Sequence, residues 1–336
     1  MTSGQLDDTA IDNAAVGAFF AEFGKTARQL PPVAIVIAAF NEQDVVGQVI
    51  EALPAEICGL ATAIVVVSDG SADKTGGVAR SHGALVCDVP VNRGQGAALR
   101  LGYRLAREGG ARYIVTTDAD GQYNPAEMER VLAPVVAGRA DFVTGSRRLG
   151  SQETHDPVRR LGTWVFAVTI STLTGQRITD SSFGLRAMRA EVTAAVRLEQ
   201  PQYQSSELLI AVLTHGFRVA EVPATIHKRK VGESKKGHNA VYGLKYAGVV
   251  AGTWWRERQR RVPASGHARE SADAREPRPA GRSAAPDQPG ELPSRAPDPL
   301  AANGSGRTSF PGPAISDSTT SRADGPGSDP RSANSR

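Results

Sequence analysis

The chain has 336 residues, a formal net charge of +4 at pH 7 and only two cysteines, Cys58 and Cys87. So mild a charge makes no case for nucleic acid as a partner, and two isolated cysteines with no basic, apolar leader point to reduced thiols in a cytoplasmic protein. No stretch reaches the about 18–20 apolar residues that cross a bilayer, so the protein is expected to be soluble or peripheral to the membrane.

Residues 1–32 read as an N-terminal extension, partly helical, with Asp7 and Asp8 where a leader would be basic. From Val33 the pattern alternates. "VAIVIAAF" (33–40) is a strand, and Glu42 to Leu53 has helical spacing. "TAIVVVS" (62–68) is a second strand, followed by a helix in "ADKTGGVARSHG" that stops at Gly83. "ALVCDV" (84–89) is a third, and the next helix, "GQGAALRLGYRLAREGG", puts Leu99, Tyr103 and Ala106 on one face. "RYIVTT" (112–117), the helix "PAEMERVLAPVVAG" and the strand "ADFVTGS" (140–146) complete the series. Continuous apolar strands alternating with amphipathic helices predict an α/β fold, a parallel sheet covered on both faces.

The composition changes at Arg261. Twelve of the 21 prolines lie beyond it, with Phe310 the single aromatic residue. Such a stretch buries too little apolar surface to offset the entropy of ordering it, so 261–336 is expected to be a disordered Pro/Ser/Arg-rich tail and 33–260 one globular domain. Just before the boundary, "AVYGLKYAGVVAGTWWRERQRR" (240–261) fits either a helix closing the core or an amphipathic segment docking on a membrane through Trp254, Trp255 and the arginines after them.

Open sheets of this type bind ligands at the carboxyl ends of their strands. After the five strands come "FNE", "SDGSADKT", "NRGQGAA", "DADGQ" and "GSRR", so five polar loops share one edge. Asp118, Asp120 and Gln122 supply hard oxygen ligands that suit Mg²⁺ or Mn²⁺, ions that keep waters and bridge to phosphates, while nothing in the cysteines and histidines suggests zinc. Taken alone, the same residues also fit an acidic turn. Asp69 after the second strand can accept hydrogen bonds from a nucleotide. "NRGQGAALRLG" lacks the third glycine of a dinucleotide fingerprint, Leu99 standing there, and Gly94 and Gly96 read as places where backbone approaches a nucleotide closely.

Together, "AAFNEQDVVGQVI", "VVVSDGSADKT", "NRGQGAALRLGYRLA", "TTDADGQYNPAEM", "GSRR", "TDSSFGLRAMR", "YQSSELL" and "FRVAEVPATIHKRKVGESKKG" resemble a family 2 inverting glycosyltransferase of the GT-A (Rossmann-like) fold, most closely the polyprenyl-phosphate sugar synthases. The resemblance implies a nucleotide-sugar donor such as a GDP- or UDP-hexose, a Mg²⁺ or Mn²⁺ ion, and a lipid phosphate acceptor at the inner face of the membrane. It implies that Phe40, Asn41 and Glu42 touch the nucleotide, that Asp69 meets its base, and that Asp118, Asp120 and Gln122 serve the metal and diphosphate. It further assigns phosphate binding to Arg147, Arg159 with Thr163, Arg186, Arg229, Ser234 and Lys235. Three features depart from the family pattern: Ser68 in place of an Asp, Phe183 and Leu185 in "SSFGLR", and no transmembrane helices after the domain.

The acceptor decides the chemistry. A hydroxyl must lose a proton as it attacks, and Glu207 is then the candidate base, although it also fits an N-terminal helix glutamate after Ser205. A phosphate is already an anion and needs cations. Three readings stand: transfer to a polyprenyl phosphate, transfer to a hydroxyl of a saccharide, polyol or natural product, and an inactive nucleotide-sugar binding module.

Overall fold

The computed structural model describes residues 3–153, 157–200, 204–228 and 240–259, with the backbone alone for 3–7, 157–160 and 240–247. Its strands are β1 (Val33–Ala39), β2 (Glu56–Ile57), β3 (Leu60–Asp69), β4 (Leu85–Val89), β5 (Tyr113–Asp118), β6 (Phe142–Gln152), β7 (Arg186–Arg189) and β8 (Val219–Ile226). Its helices are α1 (Ser3–Arg28), α2 (Val46–Glu51), α3 (Thr75–Ser81), α4 (Gln95–Glu108), α5 (Met128–Val136), α6 (Pro157–Thr174), α7 (Val192–Ala195), α8 (Gln204–Thr214) and α9 (Ala240–Gln259). The tail predicted beyond Arg261 lies outside the described residues.

β4, β3, β1 and β5 pair in parallel, as the apolar runs predict. The fifth predicted strand is β6, but it does not lie against β5. The short β7 slots between them, antiparallel to both, and β8 pairs in parallel with β6 at the edge. Pro223 sits within β8 and is tolerated because an edge strand has one side free of partners. The sheet is therefore mostly parallel, and β1, β3, β4, β5 and β6 all send their carboxyl ends to one edge.

Alternation along the strands divides the core in two. Ala34 and Val36 of β1 face the layer of α1, α4, α8 and α9, whereas Val33, Ile35 and Ile37 face α2, α3 and α5, and all five are fully buried. The N-terminal extension joins the first layer. Val16, Phe19 and Phe20 of α1 are buried, with Phe19 edge-on to Phe20 at 5.5 Å, and the helix packs on β4 and α4. Both cysteines are free, and burial pushes the Cys87 thiol up to about 12. No helix among the described residues is long and apolar enough to cross a membrane.

α4 lies close on the sheet because Gly102 faces β1. A methyl group there would come within 2.4 Å of Val36 Cγ1, and Val36 is a stiff, fully buried side chain. Gly102→Ala should therefore cost about 1–3 kcal/mol through overpacking, despite the better helix propensity of alanine. Thermal unfolding should show a melting temperature several degrees lower; an unchanged or higher value would mean that α4 can shift without cost.

Candidate active site

The first two loops at the edge are fastened to each other. Asn41 takes a positive φ of 52°; its N–H donates to Ser71 Oγ at 3.2 Å, and its Oδ1 accepts from Ala72 N at 2.9 Å. Glu42 N donates to Thr75 Oγ1 and Gln43 N to Asp73 Oδ2. These bonds divert the backbone that the sequence pattern assigns to a helix from Glu42, and α2 starts only at Val46. Burial works to raise the Asp73 carboxyl, but hydrogen bonds from Thr75 and Gln43 outweigh it and hold the group below its ordinary value. Ser68, which replaces an Asp of the family pattern, bonds through Oγ to Ser71 Oγ and joins the same zip. Asn41 is thus a brace between loops.

Asp69 ends β3 and is 2% exposed. The 92–94 loop curls around it. Its Oδ2 accepts from Arg93 N at 3.0 Å and Gly94 N at 2.7 Å, and its carbonyl accepts from Asn92 Nδ2. Its other carboxylate oxygen, Oδ1, is buried and has no hydrogen-bond partner among the described residues. A buried acceptor left unmet costs free energy, and a ligand's N–H can supply what the protein withholds. Burial raises the Asp69 carboxyl above its ordinary value, against the lowering effect of the two backbone N–H groups.

The acidic loop follows β5. Asp118 is half-buried and its Oδ1 accepts from Gln95 Nε2 at 2.9 Å, which ties the loop to the start of α4. Asp120 is buried, and its Oδ1 accepts from Gln122 N. Gln122 points its amide N–H to the carbonyl of His227, whose own N–H returns to Gln122 O, so the loop is sewn to the end of β8. Among the described residues no group of three or more His, Cys, Asp or Glu would hold an ion unaided. Two carboxylates fit a hard divalent cation that draws its other ligands from water and a diphosphate. Beside Asp118 a cavity of about 440 Å³ opens between α2 and the acidic loop, walled by Val49, Leu53, Tyr123, Glu153 and His227.

Of the predicted phosphate-binding residues, Arg147 and Arg186 are buried. Arg147 is buried where β6 leaves its ladder; Nε donates to Asp180 Oδ2 at 2.6 Å, Nη2 to Ser182 Oγ, and the guanidinium lies 5.6 Å over the Phe183 ring. Phe183 in turn stacks on Tyr123 at 4.9 Å and fills the space above Gly145. Arg186 is 2% exposed beneath the edge, donating from Nε to Phe183 O and from Nη1 to Gln204 Oε1, and its Nη2 has no partner among the described residues. Arg159 and Thr163 lie on α6; Thr163 is half-buried, and the Arg159 side chain is outside the described residues, as are Arg229, Ser234 and Lys235. Phe40 and Glu42 sit at the β1 end of the edge, half-buried.

Two expectations are corrected. Glu207 is fully buried and spent: Oε1 accepts from Arg256 Nη2 at 2.6 Å and Glu199 N at 2.9 Å, and Oε2 from Gln200 N at 3.0 Å. That makes it a brace between α8, α9 and the 199–200 segment, with no free face to take a proton. Gly96 serves the same segment. A methyl group there would stand 2.0 Å from the carbonyl of Gln200, so the glycine admits the close approach of protein backbone. Asp180 and Gln95, which no single-residue pattern singles out, are the partners that orient Arg147 and Asp118.

The chain belongs to glycosyl transferase family 2, whose model matches residues 34–197. It is 34% identical to polyprenol monophosphomannose synthase of Mycolicibacterium smegmatis, over 62% of this chain and 83% of that protein. It is 32% identical to undecaprenyl-phosphate mannosyltransferase of Micrococcus luteus, over 60% and 86%. Among solved structures it resembles glucosyl-3-phosphoglycerate synthase from Mycobacterium tuberculosis, crystallised with Mn²⁺ and UDP-glucose, with a TM-score of 0.54 at 19% identity over 75% of this chain and 85% of that one. The protein is thus a family 2 glycosyltransferase related to polyprenyl-phosphate sugar synthases, with the fold its sequence pattern predicts.

The unmet oxygen of Asp69 yields a direct test. Asp69→Asn preserves shape and leaves an oxygen for Arg93 and Gly94, but sets an N–H₂ where the free acceptor was. Losing one charge-assisted bond and adding a donor–donor clash should weaken UDP or GDP binding by about 10- to 100-fold in calorimetric titration. Equal affinity would remove Asp69 from the nucleotide site.

Proposed function

We propose that the protein transfers a hexose from a nucleotide-sugar donor to the phosphate of a polyprenyl phosphate, with a divalent cation, at a membrane surface. The observation that carries the donor half is the placement of Asp69 and of the Asp118–Asp120 pair on one sheet edge in a family 2 chain. Asp69 presents its spare oxygen to a base N–H. Asp118 and Asp120 would hold Mg²⁺ or Mn²⁺, which when bound neutralises charge gathering on the departing diphosphate. The Gln95 amide and the Gln122–His227 stitches keep both carboxylates in place before the donor arrives.

In the reaction, an acceptor phosphate oxygen attacks the anomeric carbon opposite the leaving group. The bond from that carbon to the diphosphate breaks, and the configuration inverts. An ionised phosphate has no proton to lose, so the step needs no general base. The burial of Glu207 under Arg256 favours this acceptor over a hydroxyl, because the carboxylate that the sequence offers as a base is occupied. The relatives in M. smegmatis and M. luteus are named for polyprenol and undecaprenyl-phosphate substrates, which agrees with the same acceptor.

A lipid acceptor must be met at a bilayer, and α6 carries the means. Leu161, Trp164, Val165 and Val168 are each at least 44% exposed and fall at helical spacing on one stripe. Its opposite face, Ala167 and Ile170, is buried in the body. α9 acts mainly as a closing helix: Val250, Thr253 and Glu257 are buried, Trp254 Nε1 donates to Leu173 O on α6, and Trp255 alone of its two tryptophans is mostly exposed. Of the two readings of 240–261, the core-closing helix is thus favoured, and docking is assigned chiefly to α6.

Three measurements test the reading. With undecaprenyl phosphate and labelled nucleotide sugars, EDTA should abolish transfer, and Asp120→Ala should nearly do so in a folded protein; retained activity in either case removes the metal assignment. Arg159→Ala should lower turnover by about 10²- to 10³-fold if its guanidinium meets the acceptor anion, whereas Glu207→Gln should lower the melting temperature and leave turnover below that temperature within a few-fold. The reverse order would install a hydroxyl acceptor. Trp164→Ser with Val168→Ser should cut sedimentation with anionic vesicles while nucleotide binding stays unchanged; undiminished sedimentation would release α6 from the membrane.

A further inference from the structure

α1 lies outside the segment that the family model matches. It does more than fill the core. Asp12, 9% exposed, stands between two arginines of the α4 region. Its Oδ1 accepts from Arg93 Nη2 at 2.7 Å, and its Oδ2 accepts from Arg100 Nε and Nη2, each at 3.3 Å. One turn earlier, the carbonyl of Asp8 accepts from Arg93 Nη1 at 3.2 Å. The Arg93 side chain is 7% exposed and runs away from the sheet edge into α1. Its backbone does the opposite: Arg93 N and Gly94 N together grip Oδ2 of Asp69.

We propose that Asp12 is a positioning residue for the nucleotide donor. It holds the Arg93 guanidinium, the guanidinium holds the 92–94 turn, and the turn fixes which oxygen of Asp69 is consumed and which is left open. Arg100 reinforces the clamp from the other side, since its Nη1 also donates to Leu198 O and so ties α4 to the segment after α7. The geometry has a physical logic. Loop 92–94 follows an outer strand, and Gly94 takes φ 92° and ψ 161°, a conformation open to glycine and costly for other residues. A nearly buried ion pair with a second guanidinium on the same carboxylate pins it more firmly than exposed charges could. This inference rests on the reading of Asp69 as a nucleotide ligand.

The test uses the full chain and calorimetric titration with UDP and with GDP, each in the presence of Mn²⁺. Asp12→Asn keeps the shape of the clamp and removes its charge. It should raise the dissociation constant of whichever nucleotide binds the wild type by about 3- to 10-fold, with kcat at saturating donor within two-fold. Arg93→Gln cuts the same bridge from the loop side and should do the same, which covers the case in which Asp12→Asn does not fold. Val16→Ala removes buried packing from α1 without touching the clamp; it should lower the melting temperature and leave nucleotide affinity alone. Unchanged affinity in Asp12→Asn and Arg93→Gln would overturn the proposal, as would an equal loss in Val16→Ala, which would make α1 a matter of stability only. If the wild type binds neither nucleotide, the donor reading itself fails, an outcome distinct from the others.

Discussion

Strands that run parallel must all open their carboxyl ends toward one edge, and that constraint organises this protein. β1, β3, β4, β5 and β6 deliver five loops to a single rim, each emerging from a strand locked by neighbours on both sides or by packing on both faces. Polar groups that are tens of residues apart in the chain, such as Asp69, Gln95 and Asp118, become neighbours without any need for local sequence signals. The antiparallel β7 does not disturb this. It fills the gap between β5 and β6 and brings Arg186 and the Asp180–Phe183 turn underneath the rim from the far side.

What holds the rim in shape is largely carboxylate to backbone N–H. Asp69 grips the 92–94 turn, Asp73 grips Thr75 and Gln43, Glu207 grips residues 199 and 200, and Glu221 grips Thr179 and Asp180. Glu127 does the same for Thr225 of β8. Such bonds stabilise segments that no ladder reaches, and they leave the acid little capacity for anything else. Most acids near the rim are thus structural. Candidates for ligand binding are Asp69, through its Oδ1, and the Asp118–Asp120 pair, which sits at the open end of β5 with Asp118 beside a cavity. Glu221 shows the cost of the device, since burial raises its carboxyl above the ordinary value despite the N–H groups that lower it.

The parallel half of the fold is legible because its strands are buried on both faces and need apolar residues throughout, a pattern that survives in one sequence. β7 and β8 are not legible in the same way. β7 is four residues long and carries two arginines, and β8 contains Pro223; each is a strand only because partners distant in the chain supply its ladder. The site divides similarly. Asp69 and the acidic loop announce themselves by following apolar runs. Glu207 and Gly96 mislead, because a residue type tells what chemistry is available and not whether a neighbour has used it. The 199–200 backbone consumes both, and nothing around Gly96 indicates that it will arrive. Asp12 is silent for a related reason: an acid on an N-terminal helix looks like solvated surface until Arg93 and Arg100 are seen to converge on it.

α6 shows how one helix can carry two incompatible demands. Ala167 and Ile170 require a protein core on one side, and Leu161, Trp164, Val165 and Val168 leave an apolar stripe on the other. In water that stripe would be a liability for association, since a contiguous apolar face invites any similar surface. Under the proposed docking, a bilayer would remove the liability and turn the same residues into an attachment whose strength grows with the apolar area covered. The helix directly follows β6, whose bulge holds Arg147, and its C-terminal end is bound by Trp254 of α9. If the acceptor is a lipid whose chain stays in the membrane, it can offer only its headgroup, and the attachment then belongs beside the reacting edge rather than behind the sheet. For the proposed lipid acceptor, α6 is the described helix that carries an exposed apolar stripe at helical spacing, and it follows the rim strand β6 in the chain while its C-terminal turn is bound by α9.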